Sequence, residues 1–213
     1  MKYLSKLALG TVLLAVASVS FGQVVVAPDD AIQQEEMGNL NSAVGDSFIH
    51  MFNAATNGGT DGSGSIVAQV YVFDASDEQL VACCSCPLTP DQGATLSAKK
   101  QLIKNTLTGT LPTSITVKLV ATKGGSAATD QTAEGAPGFS SGLRADRTTT
   151  HLTTDYPSVA NNITEEEFKY VTISQAEYET RMIGYCVNII GNGSGHGICV
   201  GCTKGVTGGA PKD

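Results

Sequence analysis

Six cysteines fall in two tight groups, Cys83-Cys84-Ser85-Cys86 and Cys186 with Cys199-Val200-Gly201-Cys202, one early in the chain and one near its end. An even count of thiols behind an N-terminus with the features of an export signal reads as a disulfide framework. Bridges between the two groups would tie a C-terminal segment back onto an early β-hairpin. With 213 residues the chain can bury a real core without such staples, so bridges would reinforce a fold rather than replace one.

Lys2 and Lys6 form a positive start, and Leu7 to Ala17 is an apolar run too short to span a bilayer. Ser20-Phe21-Gly22 then offers small residues where a signal peptidase cuts, which predicts cleavage before Gln23 and secretion of the product. No later stretch approaches the roughly 18 apolar residues of a membrane helix, so no membrane span is expected. Loss of Lys2 and Lys6 with residues 1–22 takes the formal charge from −7 to −9. Phosphate binding needs a basic stripe, and none exists, so nucleic acid is not an expected partner.

Low charge density, 24 glycines and no tryptophan suit an all-β extracellular domain. Residues 23–46 read as a short strand at Val24, Val25 and Val26, broken at Pro28, followed by a loosely held acidic linker. Residues 47–205 read as one β domain, and 206–213 as a flexible tail. Within the domain, Ser47 to Ala55 alternates, with Phe48, His50 and Phe52 on one face and Ile49 and Met51 on the other. Ser65 to Asp74 is apolar on both faces apart from Gln69, the pattern of a central strand covered by two layers.

Asp74 to Glu78 is a turn, and Gln79 to Cys86 should return antiparallel until Pro87 and Pro90 stop it. Ser114 to Lys123 alternates with Ile115, Val117, Leu119 and Ala121 inward and Thr116, Lys118 and Thr122 outward. Further strands are expected in Ala94 to Thr108, Leu143 to Thr153 and Phe168 to Ile173, with a low-complexity loop over Gly124 to Gly142. The period then changes. Ser174 and Glu177 form a capping box, and Tyr178, Met182, Ile183, Cys186, Ile189 and Ile190 share one face of a helix over 175–190 that ends at Gly191.

The cysteines admit three chemistries. Cys83 with Cys86 and Cys199 with Cys202 are C-x-x-C pairs, which can hold zinc or iron, although the spacer between them is far longer than in ordinary zinc modules. Redox-active thiols are a second option, but no helix N-terminus is available to lower a thiol pKa. Disulfides are the leading reading, with 15 connectivities open to six cysteines. Cys83 and Cys84 are adjacent, so on a strand they point to opposite faces and take different partners. The preferred arrangement sends one of them to Cys186 on the helix and joins the rest to the Cys199 and Cys202 loop, with the individual pairing left open.

Gly191-Asn-Gly-Ser-Gly-His-Gly197 has the look of a site, yet it is neither a nucleotide fingerprint nor a nucleophile elbow. It reads first as a helix C-cap leading to Cys199; a hydrolase using Ser194 with His151 or His196 is the competing reading. His50, His151 and His196 show no ligand spacing. Asp74, Asp77 and Glu78 supply fewer oxygens than a calcium loop needs and read as a solvated turn. Glu165-Glu166-Glu167 reads as the exposed start of a strand. Asn162-Ile-Thr164 and Asn192-Gly-Ser194 match glycosylation sequons.

Ile66 to Asn105, with Val-Tyr-Val-Phe-Asp, Cys-Cys-Ser-Cys-Pro-Leu-Thr-Pro and Leu-Ser-Ala, resembles a family of secreted bacterial proteins common in acidobacterial genomes. Val117 to Ala121, Gly142 to Ala145 and the closing Asn192 to Cys202 are similar to further hallmarks of that family. Its members often carry one more cysteine just before the Tyr-Val-Phe-Asp strand, where this chain has Val67. The resemblance implies export and a shared cysteine framework, and it brings no chemistry with it.

Taken together, the sequence predicts an all-β, mainly antiparallel, sandwich-like secreted domain with one C-terminal amphipathic helix. The expected role is a non-enzymatic extracellular structural or adhesive protein, with no cofactor, that self-assembles when Val24 to Val26 add to a neighbour's sheet edge. A thiolate protein holding zinc or iron through Cys83, Cys86, Cys199 and Cys202 is the alternative, and a Ser194 hydrolase the second.

Overall fold

In the computed structural model, residues 27–38, 40, 45–58, 62–124, 138–151, 162–174 and 176–201 are described. Val24 to Val26, Cys202 and the tail lie outside them, as does most of the glycine-rich stretch after Gly124. Among the described residues, nine strands form two antiparallel sheets: β1 (Ile32–Met37), β2 (Asp46–Asn53), β3 (Ile66–Asp74), β4 (Leu80–Leu88), β5 (Gly93–Ser97), β6 (Ile115–Lys123), β7 (Leu143–His151), β8 (Asn162–Glu167) and β9 (Lys169–Tyr170). One sheet has the order β4-β3-β6-β1-β9 and the other β5-β2-β7-β8.

Three layers result. Ile49, Met51, Val70, Val72, Leu96 and Leu119 belong to the core between the two sheets. On the other side of the five-stranded sheet, Tyr71, Phe73 and Val120 pack against Tyr178, Met182 and Ile183 of the C-terminal helix. Each fully buried side chain of this kind contributes roughly 1.5–3 kcal/mol. β3 is therefore covered on both faces, which is why Ile66 to Phe73 could be apolar at every position but Gln69. The alternation in β2 also emerges, with Ile49 and Met51 inward and Phe52 outward.

Several expectations need correction. The acidic linker is in fact β1, an inner strand paired with β6 from Ile32↔Val120 to Met37↔Ile115. Its polar residues are tolerated inside because they have partners: the buried Gln33 donates through Nε2 to the Leu143 carbonyl at 2.9 Å, and Glu35 faces Arg147 on β7 at 3.8 Å. β4 runs on through Pro87, which sits at an edge where no ladder donor is required. Thr122, expected to face outward, is fully buried and accepts a hydrogen bond from Gln69 Nε2 at 2.8 Å. The strand expected in Ala94 to Thr108 stops at Ser97, whose hydroxyl accepts from the Lys100 amide and caps a π-helical turn, Ala98–Leu102.

The C-terminal helix begins with π-helical pairing over Glu177–Gly184 and continues as α1 (Tyr185–Gly191). Tyr178, Met182 and Cys186 recur every fourth residue and are buried together in the helix-side core. Only half of the capping box forms: Ser174 Oγ accepts from the Glu177 amide at 3.1 Å, whereas the Glu177 carboxylate turns to Lys118 Nζ at 2.5 Å.

Candidate functional site

β4 organises the C-terminal third of the described chain. Strand geometry sends alternate side chains to opposite faces. Cys83 points to the helix side and is bonded to Cys186, with Cα atoms 5.9 Å apart across 103 residues of sequence. Cys84 points into the space between the sheets and is bonded to Cys199, Cα atoms 5.5 Å apart. Cys86 is disulfide-bonded as well, and no described cysteine is free. Of the six disulfide candidates, five are thus placed in bridges, and Cys202 lies outside the described residues.

The same geometry separates the C-x-x-C pair. Cys83 and Cys86 are three apart on an extended strand, so their sulfurs occupy opposite faces, Cys83 in the helix-side core and Cys86 in the intersheet core. Two such sulfurs cannot close on one ion. Among the described residues no group of three or more His, Cys, Asp or Glu side chains is arranged to hold a metal.

The segment after the helix closes the open edge of β4. The Cys83 amide donates to the Gly197 carbonyl at 2.9 Å, Cys83 forms a parallel bridge with Ile198, and the Leu107 amide donates to the Val81 carbonyl at 3.0 Å. An unpaired edge invites association with other chains, and at Val81 and Cys83 this one is covered by the protein's own backbone. Gly197 is required there: its φ is +75°, and a Cβ would lie 2.6 Å from Ile189 Cγ2.

The glycine loop is a built turn. Asn192 Oδ1 accepts from the Ser194 amide at 2.8 Å, and Ser194 Oγ accepts from the His196 amide at 3.1 Å. Asn105 Nδ2 donates to the Gly195 carbonyl at 2.6 Å. Ser194 is engaged in backbone geometry, and His151 stands at the end of β7, in the other sheet. The imidazole of His50 bridges Thr95 and Thr148 on neighbouring strands at 3.0 and 3.1 Å. Asp74 and Asp77 accept from Ser76 and Gln79 within their own turn, as a solvated turn requires.

Two clefts flank the C-terminal helix, on either side of the β3–β4 turn, and the sequence reading found neither. The first, of about 290 Å³, is ionic. Lys118 and Arg181 stand 5.4 and 5.8 Å from the centre of the Phe73 ring and are neutralised by Glu177 and Glu78. The second, of about 300 Å³, has no ionic side chain among its described lining residues: Leu80 and Ile189 line it together with Leu107 and Tyr185, and Gln79, Asn188 and Asn192 contribute carboxamides. Tyr185, Asn188 and Asn192 follow helical spacing and form a legible stripe. That Gln79 and Leu107 complete the cleft depends on long-range packing.

No family model matches the chain, and no curated protein matches it. Among solved structures, the crystal structure of Thermotoga maritima 1070 aligns with 67% of this chain and 95% of that one, at 5% sequence identity and a TM-score of 0.42.

Proposed function

We propose that the chain is an exported, non-enzymatic extracellular protein of the structural or adhesive kind. The observation that carries this reading is the use of sulfur. Both described bridges leave β4, from opposite faces, and fix the helix and the following segment against the sheet edge. Covalent closure of this sort suits an oxidising, non-cytoplasmic setting. Among the described residues no helix is long and apolar enough to cross a membrane. The charged start, the apolar run and the small residues before Gln23 support removal of residues 1–22 on export, and the resemblance to secreted acidobacterial-type proteins points the same way.

Self-assembly is part of the proposal. Val24 to Val26 would add to a neighbour's sheet, and β8 offers an edge: it is the last strand of its sheet, and Ile163 to Glu167 are exposed. Because β1 is an inner strand, the deletion that tests this must stop at Val26. Removal of Gln23 to Val26 should abolish higher-order species in size-exclusion chromatography and electron micrographs while the fold persists. Unchanged assembly would rule out strand donation, and exported material carrying free thiols at Cys83, Cys84, Cys186 and Cys199 would overturn the stapled scaffold.

A further inference from the structure

We infer that the uncharged cleft between α1 and the β3–β4 turn is a binding site for a neutral carbohydrate; this deepens the adhesive reading and rests on it for its biological setting. The cleft has an apolar floor, the buried Leu80 and Ile189, and partly exposed walls, the apolar Leu107 and the amphipathic Tyr185, which stay 36% and 43% exposed. Gln79, Asn188 and Asn192 stand around it. Among the described residues the side-chain amides of Gln79 and Asn188 and the Tyr185 hydroxyl make no hydrogen bond, and Asn192 commits only its Oδ1, to Ser194.

The chemistry of that set selects a ligand. A carboxamide carries two donors and an acceptor, and so matches a hydroxyl, which both gives and takes a hydrogen bond. An exposed aromatic ring accepts the C–H face of a sugar. A charged ligand would leave water without a counter-charge, because none of the described residues lining the cleft is ionic. A hydrocarbon would leave the carboxamides unpaired. An extended peptide would need backbone groups to pair with, and those of β4 beside the cleft are taken: the Val81 carbonyl by Leu107 and the Cys83 amide by Gly197.

The site is also held in shape before any ligand arrives. Tyr185 precedes Cys186, whose bridge to Cys83 fixes that turn of helix to the sheet. Leu107 is anchored through its own amide, and the Gly197 amide donates to the Asn105 carbonyl at 2.7 Å. A preorganised cleft loses little entropy on binding. Its volume, about 300 Å³, lies at the small end of ligand sites and suits one or two sugar rings.

The test is titration of the oxidised mature chain with cellobiose, maltose, lactose and chitobiose to roughly 10 mM, followed by ¹H–¹⁵N spectra of the side-chain amides. At least one disaccharide should saturably shift the Gln79, Asn188 and Asn192 signals, and a digalacturonate should not. Tyr185→Ala should weaken that binding about tenfold, whereas Tyr185→Phe should keep most of it. Asn188→Leu gives a second, independent loss. If no sugar moves those signals, if only a peptide does, or if Tyr185→Ala leaves the affinity unchanged, the site is refuted while the stapled scaffold stands. A sugar that binds there and is cleaved would leave the site standing and refute the non-enzymatic reading.

Discussion

Cys83 and Cys84 are consecutive in the chain, yet their sulfurs lie in separate hydrophobic cores on opposite faces of β4. One holds the C-terminal helix against the five-stranded sheet, and the other draws Cys199 between the sheets. The strand is thus clamped from both sides at one point.

The two bridges interleave along the chain, Cys83 to Cys186 and Cys84 to Cys199, which sets the effect of losing one. With Cys84–Cys199 in place, Cys83–Cys186 closes a ring of only about 15 residues, worth roughly 3 kcal/mol on the chain-entropy model, rather than the nearly 5 kcal/mol of an isolated long loop. Replacing Cys83 and Cys186 together by Ala should therefore lower stability by about 3 kcal/mol in chemical denaturation. The Cys83 amide should also lose hydrogen-exchange protection in that variant, because the Gly197 carbonyl it pairs with is held by the same clamp.

Gln69 is the one polar side chain facing the helix side of β3 and is fully buried. It donates to Thr122 Oγ1 at 2.8 Å and accepts from Ser85 Oγ at 2.6 Å, linking β4, β3 and β6. Gln69→Leu would leave both hydroxyls without this partner. The expected outcome is a loss of about 1–3 kcal/mol in thermal or denaturant unfolding, and Gln69→Leu combined with Ser85→Ala and Thr122→Val should recover much of it.

Glu35 and Arg147 form an ion pair between the sheets at 3.8 Å, and Glu35 Oε2 and Arg147 Nε have no hydrogen-bond partner among the described residues. Arg147 also pairs with Glu166 Oε2 at 2.5 Å and donates to the Glu36 carbonyl. Arg147→Met should destabilise by about 3–5 kcal/mol, since it strands a buried carboxylate. Glu35→Met together with Arg147→Met should be close to neutral or stabilising, a contrast that denaturation of the single and double variants measures directly.

The Asp30–Arg144 pair should add no pH dependence through the guanidinium. The hydrogen bond from Arg144 to Asp30 raises the arginine pKa above its usual value. A cation whose folded pKa is raised contributes stability below its unfolded pKa and loses it only as pH climbs past the folded value. Arg144→Gln should therefore shift the unfolding midpoint by the same amount at pH 5 and pH 9.

The all-β class, the doubly covered β3, the hairpin and the amphipathic helix were legible because each is written in local periodicity: Ile66 to Phe73 needs two apolar layers, and Tyr178, Met182 and Cys186 need one. The opposed partners of Cys83 and Cys84 were legible too, since adjacent residues on any strand face apart. Which cysteine met which, the conversion of an acidic stretch into the inner strand β1, and the cleft under Tyr185 were decided only by tertiary structure. Gln33 and Glu35 are tolerable inside only once Leu143 and Arg147 arrive from another sheet. Local sequence reports what a side chain prefers, whereas burial of a polar group depends on partners about a hundred residues away, which only the packed chain supplies.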